Sequence, residues 1–169
     1  MTNVDQGEPG FEGLVLEQNK EWRYYFWYPR GWYRHDLTDD RVGVLVSADA
    51  EATTFFSVEA QALPTSVQPD DLDVVREGIQ EGLAQLPGLV VESAQESCSG
   101  GQIDLERVYT FRDGQETRKR RIRLLYSGNK LYSLMSQGST EEAYAYWLSM
   151  LNYCHLTFTI GLFDMGQLE

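Results

Sequence analysis

Seven aromatic side chains fall within ten consecutive positions, Tyr24-Tyr25-Phe26-Trp27-Tyr28-Pro29-Arg30-Gly31-Trp32-Tyr33, with Pro-Arg-Gly breaking the run. Rings at this density suit a pleated, half-buried strand, where they pack against cross-strand neighbours. Proline offers no amide to a ladder, so the strand predicted over 22–28 ends at Pro29, and Gly31 permits a tight turn. Strand alternation sends Tyr25 and Trp27 to one side and Tyr24, Phe26 and Tyr28 to the other. Most of these rings therefore read as packing. Trp27 and Trp32 are the candidates for partner binding, because tryptophan brings a large rigid surface with a polar handle and is enriched at interface centres.

Downstream, 32–37 reads as a short extended piece, 38–41 as a polar turn, 42–47 as a buried strand and 53–63 as a long strand closed by Pro64. Together with the aromatic strand these predict a meander. From Pro69 the period changes. Leu72, Val75, Ile79, Leu83 and Leu86 recur every three or four residues on one helical face, and Pro87-Gly88 stops it. Asp70, Asp71 and Asp73 crowd the first turn, where carboxylates oppose the positive end of the helix dipole.

After that helix the pattern predicts a strand over 89–94, a turn over 97–101, and strands over 102–111, 117–126 and 130–136. Asp113-Gly114 is a hairpin signal between the second and third of these. Ser139-Thr140-Glu141-Glu142 reads as a capping box with Ser139 as cap, opening one helix that carries Ala143, Trp147, Met150, Leu151 and Cys154 on a single face. Residues 156–160 extend as an edge strand or coil. The sum is an α+β domain, an antiparallel sheet with helices laid against it, over 14–160. An acidic tail, 1–13, precedes it, and a short apolar tail, 161–169, is expected to dock on its own domain.

Composition narrows the function. The formal charge of −12 repels nucleic acid and anionic lipid, so no nucleic-acid partner is expected. No stretch approaches the roughly 18 uninterrupted apolar residues that span a bilayer, and 1–13 lacks the basic and apolar regions of a secretory signal. The chain as written therefore reads as cytoplasmic, or as exported where a signal has been removed. Cys98 and Cys154 show no metal-ligand spacing, and a bridge between them stays open.

Five of the fourteen basic residues lie in Arg118-Lys119-Arg120-Arg121-Ile122-Arg123. On a strand Lys119, Arg121 and Arg123 share one face. Arg121 and Arg123 are thus candidates for an anionic partner, while the simpler expectation pairs them with Asp104, Glu106 or other cross-strand acids. His35, Asp36, Asp39 and Asp40 could hold a cation weakly but match no established loop, so they read as a solvated turn and no metal is assigned. Cys98 and His155 are the residue types of a thiol nucleophile and its base, yet two residues do not make an active site. No phosphate-cradling loop, zinc-protease helix or nucleophile elbow occurs.

The order of these elements, opening on Phe26-Trp27-Tyr28-Pro29-Arg30-Gly31-Trp32, resembles the PsbP-like superfamily. The likeness runs over 14–160 and adds Pro87-Gly88 after the central helix, Leu124-Leu125-Tyr126, and Lys130-Leu131-Tyr132-Ser133-Leu134 before the last helix. It implies an α/β/α sandwich around an antiparallel sheet, and a non-enzymatic binding or assembly domain without cofactor, since the best-known members are not enzymes. The amino-terminal partner-binding segment of PsbP has no recognisable counterpart in 1–13. The implied partner is a protein or a small apolar ligand. The alternatives are an enzyme with dispersed active-site residues and a chaperone for apolar segments.

Overall fold

The computed structural model describes residues 9, 10 and 12–164. Its strands are β1 (Leu14–Asn19), β2 (Tyr24–Pro29), β3 (Tyr33–Asp36), β4 (Val42–Ser47), β5 (Phe55–Ala62), β6 (Val90–Ser99), β7 (Gln102–Asp113), β8 (Glu116–Ser127), β9 (Lys130–Gly138) and β10 (Thr159–Ile160). The helices are α1 (Leu72–Ala84), entered through a 3-10 turn over Pro69–Asp71, α2 (Glu141–Tyr146) and α3 (Leu148–Thr157). Seven strands form the main sheet in the order β3-β4-β5-β9-β8-β7-β6, and three form a small sheet, β1-β2-β10. Every pairing is antiparallel.

The aromatic strand therefore does not open the main sheet, and the predicted meander holds only for β3, β4 and β5. After Pro29 the Trp32 amide donates to the Pro29 carbonyl at 3.3 Å, and Gly31 takes φ +92°, a turn that carries the chain out of one sheet into the other. β2 comes to lie across the main sheet. Its inward residues Tyr24, Phe26 and Tyr28 are buried against Val44, Val46, Phe56, Val58, Tyr132 and Leu134. Phe26 meets Phe56 edge-on at 5.0 Å and Tyr24 meets Tyr132 at 6.1 Å, the offset geometry that ring quadrupoles favour. Leu151, Cys154 and Phe158 complete this core beside β2.

Consecutive residues of β8 show that a second core lies on the opposite face of the main sheet. Leu125 belongs to the first cluster, whereas Leu124 packs with Ile79 and Leu83 of α1, Tyr109 and Phe111. The α+β class and the antiparallel sheet agree with the sequence. A plain helix–sheet–helix sandwich does not describe the molecule fully, because much of one outer layer is itself a sheet.

Several boundaries differ from the sequence expectation for local reasons. β1 had no predicted strand; it is mostly half-buried and pairs along all six residues of β2. β6 runs on to Ser99 instead of turning at 97. The helix predicted from Ser139 is two helices joined at Trp147 (φ −94°, ψ 6°), whose ring stands edge-on to Trp32 at 5.8 Å and to Tyr146 at 5.0 Å. Its cap is Thr140, whose Oγ1 accepts the Ala143 amide at 3.0 Å, while the Ser139 amide is turned to Thr54 Oγ1 at 3.2 Å. Gly138 is required just before it, since a Cβ there would strike the backbone of Thr140 and Tyr144.

The amino-terminal tail lies mostly outside the described residues, although the Gly13 carbonyl already accepts the Arg30 amide at 2.9 Å. Of the carboxyl tail, Phe163 docks on the outer side of the small sheet, 5.3 Å from the Tyr25 ring and 5.6 Å from that of Trp27, with its amide on Gln18 Oε1 at 2.9 Å. Residues 165–169 fall outside the described residues. Cys98 is exposed on β6 and Cys154 fully buried on α3, and both are free thiols.

His155 is the buried titratable group that α3 presses onto the sheet, 1% exposed, with Nε2 3.0 Å from Ser136 Oγ and no partner at Nδ1. Burial, with Arg121 and then Arg123 adding positive field, pushes its imidazole well below the usual range. The folded protein thus stays unprotonated here where an unfolded chain takes up a proton below about pH 6.5, so this stability is present above that pH and is lost as pH falls. Urea midpoints should show the wild type losing about 1 kcal/mol between pH 6.5 and 5.5, and His155→Leu should lack that slope. Phe26→Ala should cost about 3–5 kcal/mol and Trp27→Ala about 1 kcal/mol in the same assay, because only the first opens a core cavity.

Candidate functional site

α1 covers the far face of the main sheet over β7 and β8, and leaves that face open toward β4 and β5. The register shows what fills the opening. Leu45, Ser57, Met135 and Ile122 form one continuous cross-strand row, with Glu59, Ser133 and Leu124 in the row beside it. Phe55 and Tyr109 close one side, and Leu37 overhangs from the loop after β3, held by its amide on the Gly43 carbonyl at 3.1 Å. The result is a trough of about 440 Å³ with a mainly apolar floor. That volume lies within the roughly 300–1,000 Å³ of small-molecule sites.

Two polar devices border it. At the mouth Arg41 grips Glu59 with both prongs, Nε to Oε1 at 3.1 Å and Nη2 to Oε2 at 2.9 Å. On the Tyr109 side Arg120 lies 4.5 Å over the Phe111 ring and donates to Gln137 Oε1 at 3.0 Å and to the Tyr109 hydroxyl at 3.4 Å. Gly43 sets the shape of the wall. With φ +150°, its missing Cβ is what avoids collision with the Val58 carbonyl and the Leu37 side chain. Ser57 and Ser133 supply hydroxyls, and the carboxylate, Glu59, is committed to Arg41. Such a lining can enclose an apolar group and orient it by one or two polar contacts.

The candidates read from the sequence lie elsewhere and are scattered. Trp27 is half-buried on the small sheet with Phe163 against it, and Trp32 is half-buried against Trp147 at the β2–β3 turn. Arg121 forks onto Glu106 (Nε to Oε1 and Nη2 to Oε2, both 3.0 Å) and reaches Asn152 Oδ1 at 3.0 Å. Arg123 binds Asp104 at 2.7 Å, Arg118 binds Asp113 at 2.8 Å and Lys119 binds Glu92 at 2.7 Å. The basic run is thus paired across strands, as its register on a hairpin suggested. Lys119, Arg121 and Arg123 face the side of the sheet opposite to the trough, whereas Arg118 and Arg120 share the face of Ile122 and Leu124.

The thiol–imidazole pairing is excluded by position. Cys98 stands on the exposed edge strand, and His155 is buried on the sheet-facing side of α3. Asp36 is taken by Arg34 at 3.0 Å, and among the described residues no group of three or more His, Cys, Asp or Glu could hold a metal ion. No helix among the described residues is long and apolar enough to cross a membrane. Sequence reasoning missed the trough because its lining comes from β4, β5, β7, β8, β9 and a loop, no two of which announce it alone. The alternation of Phe55, Ser57 and Glu59 was the available signal, since it marks a strand face that is neither fully core nor fully solvated.

No protein-family model matches the sequence, and no curated protein matches it. Among solved structures the chain is similar to cyanobacterial PsbP (CyanoP) from Synechocystis sp. PCC 6803, at 18% identity and TM-score 0.65, over 92% of this chain and 98% of that one. It is also similar to LpqN of Mycobacterium tuberculosis, involved in cell envelope biogenesis, at 14% identity and TM-score 0.57, over 93% and 88%. A Bacteroides thetaiotaomicron protein matches at 14% identity and TM-score 0.54, over 85% of this chain but 46% of its own length. The fold is PsbP-like.

Gly43→Ala should lower stability by about 1–3 kcal/mol, through the clash that reshapes the trough wall, whereas Arg41→Ala should change it by less than about 1 kcal/mol because the pair is exposed. Chemical denaturation of the two variants checks the contrast.

Proposed function

We propose that this chain is a non-enzymatic binding domain whose trough receives an apolar group, carried by a small ligand or by a protein partner. The observation that carries this reading is the row Leu45, Met135 and Ile122, held open on one side of β4, β5, β9 and β8, while the other side of β4, β5 and β9 carries the aromatic core. An enzyme with dispersed residues would need a titratable group with shifted acidity facing its cavity. In the trough lining, burial raises the Tyr109 hydroxyl and Glu59 raises the Arg41 guanidinium, shifts that leave both groups further from titrating near neutrality, while the strongly perturbed imidazole, His155, is in the core. A neighbour of this fold involved in cell envelope biogenesis lends support to an assembly role for such a framework.

Under the same reading Trp27 and Trp32 are secondary contacts for a protein partner, each offering a half-exposed ring. Arg121 and Arg123 would serve an anionic partner only by leaving Glu106 and Asp104.

The test is titration with an environment-sensitive apolar dye. Leu45→Gln and Met135→Gln should each weaken binding about tenfold while leaving the circular dichroism spectrum intact, and Arg30→Ala, at the distant β2–β3 turn, should not. Equal affinity in all three variants would sink the proposal. Capture of extended apolar peptides with the same sensitivity to Leu45 and Met135 would assign the trough to chaperoning.

A further inference from the structure

The main sheet has two edges, and they are built on different plans. β3 is four residues long, and Arg34, His35 and Asp36 make it charged, with Arg34 bound to Glu17 and Asp36. Short, charged edges resist pairing with another chain. β6 is ten residues long, every one of them exposed, and its sequence Val-Val-Glu-Ser-Ala-Gln-Glu-Ser-Cys-Ser contains no lysine, arginine or proline. A bulge between Val91 and Ser93, with Glu92 bound to Lys119 at 2.7 Å, blunts its first three residues only. From 93 to 99 the ladder with β7 is regular, and among the described residues no strand pairs the other side.

The one charge in that regular stretch does not guard the edge. Glu96 is drawn down onto the sheet face by Arg76 at 2.6 Å and Arg107 at 2.7 Å. Arg107 itself is 5% exposed and also donates to the carbonyls of Glu106 at 2.8 Å and Gln95 at 3.4 Å. Immediately beside the edge, α1 and β6 enclose a cavity of about 450 Å³ with Leu83, Leu89, Val91 and Ala94 in its lining. An edge strand beside a helix, with an apolar recess between them, is the arrangement that lets an added strand gain main-chain hydrogen bonds from the edge and side-chain selectivity from the recess.

Charge decides the kind of segment. Both guanidiniums at the recess are committed to Glu96, and Arg76 also holds Asp73 at 2.7 Å, which leaves exposed Glu77 as the added negative charge on that side of α1. On the other face of the edge, Asp104 and Glu106 of β7 share a shallow depression with Gln95 and Ser97. There Asp104 and Glu106 are paired with Arg123 and Arg121, so the local ion pairs balance, and the preference for a basic segment rests on the chain's net charge of −12, which equally disfavours a second copy.

We propose that β6 is a docking edge for an extended segment of a protein partner, added as an eighth strand over 93–99, with alternate small or β-branched apolar residues turned into the Leu83–Val91 recess and basic residues between them. The edge is separate from the trough, so this partner does not compete with an apolar ligand there.

The probe is an eight-residue peptide of alternating lysine and valine with blocked ends, added to the full chain labelled for amide NMR. Amides within 93–99 that face away from β7 should gain protection from exchange and shift. Valine-to-glutamate or lysine-to-glutamate versions should bind at least tenfold more weakly, and a peptide N-methylated at alternate residues should not bind. Ala94→Arg, which fills the recess, should weaken binding about tenfold. Should that variant misfold, the N-methylated peptide decides the matter on the unaltered chain. No change within 93–99 at millimolar peptide, undiminished binding of the N-methylated peptide, or responses confined to Leu45 and Met135 would each overturn the proposal. So would protection of the same amides without peptide, accompanied by a concentration-dependent dimer mass, which assigns the edge to a second copy.

Discussion

The packing of β2 across the main sheet is the contact on which the other arrangements depend. Phe26 against Phe56 and Tyr24 against Tyr132 hold the small sheet over one face, and β1 and β10 join that sheet by pairing with β2. The same contact anchors α3, because the Trp27 amide donates to Thr157 Oγ1 at 3.0 Å at the end of that helix. Tyr132 extends the link with its hydroxyl on the Trp22 carbonyl at 2.6 Å. Aromatic area buried here removes most of one face of β4, β5 and β9 from solvent, and the trough forms on the opposite face of those strands.

That division of labour explains why the two faces are so unlike. The packed face carries at its margin a ladder of arginine–carboxylate pairs, Arg121 with Glu106 and Arg123 with Asp104, which join β8 to β7 where the helices no longer cover them. The open face has one helix for cover, and the buried residues of α1, Ile79 and Leu83, pack with Tyr109 and Phe111 of β7 and with Ile122 and Leu124 of β8. The uncovered remainder becomes the trough at one end, and the far edge is left with a strand that no element shields.

The extended elements were legible where pattern and punctuation agreed. Asp113-Gly114 and Ser127-Gly128-Asn129 placed β7, β8 and β9 in register, and the 3-4 spacing from Leu72 to Leu83 marked the face by which α1 packs. Legibility failed where a distant partner outweighed local preference. Ser139 is as good a cap as Thr140 in isolation, but Thr54, 85 positions away in sequence, claims the Ser139 amide. The run from Glu141 to Thr157 reads as one helix until Trp147 is held edge-on by Trp32, more than a hundred residues upstream. The trough residues show the same limit, since Leu45, Phe55, Ile122 and Met135 look like ordinary core positions until the helix that might have covered them is seen to lie elsewhere.

Sequence by itself determined the class of fold, the identity of most strands, the cross-strand pairing of the basic run and the division of the aromatic segment into two faces, because these follow from residue periodicity and from turns a few residues long. Tertiary structure alone decided that the aromatic strand leaves the main sheet, that His155 is sealed in the core, and which part of the sheet remains open. Those outcomes depend on which of two apolar surfaces meet across tens of ångströms, and hydrophobic attraction, being non-directional, leaves no periodic mark in the chain to say which.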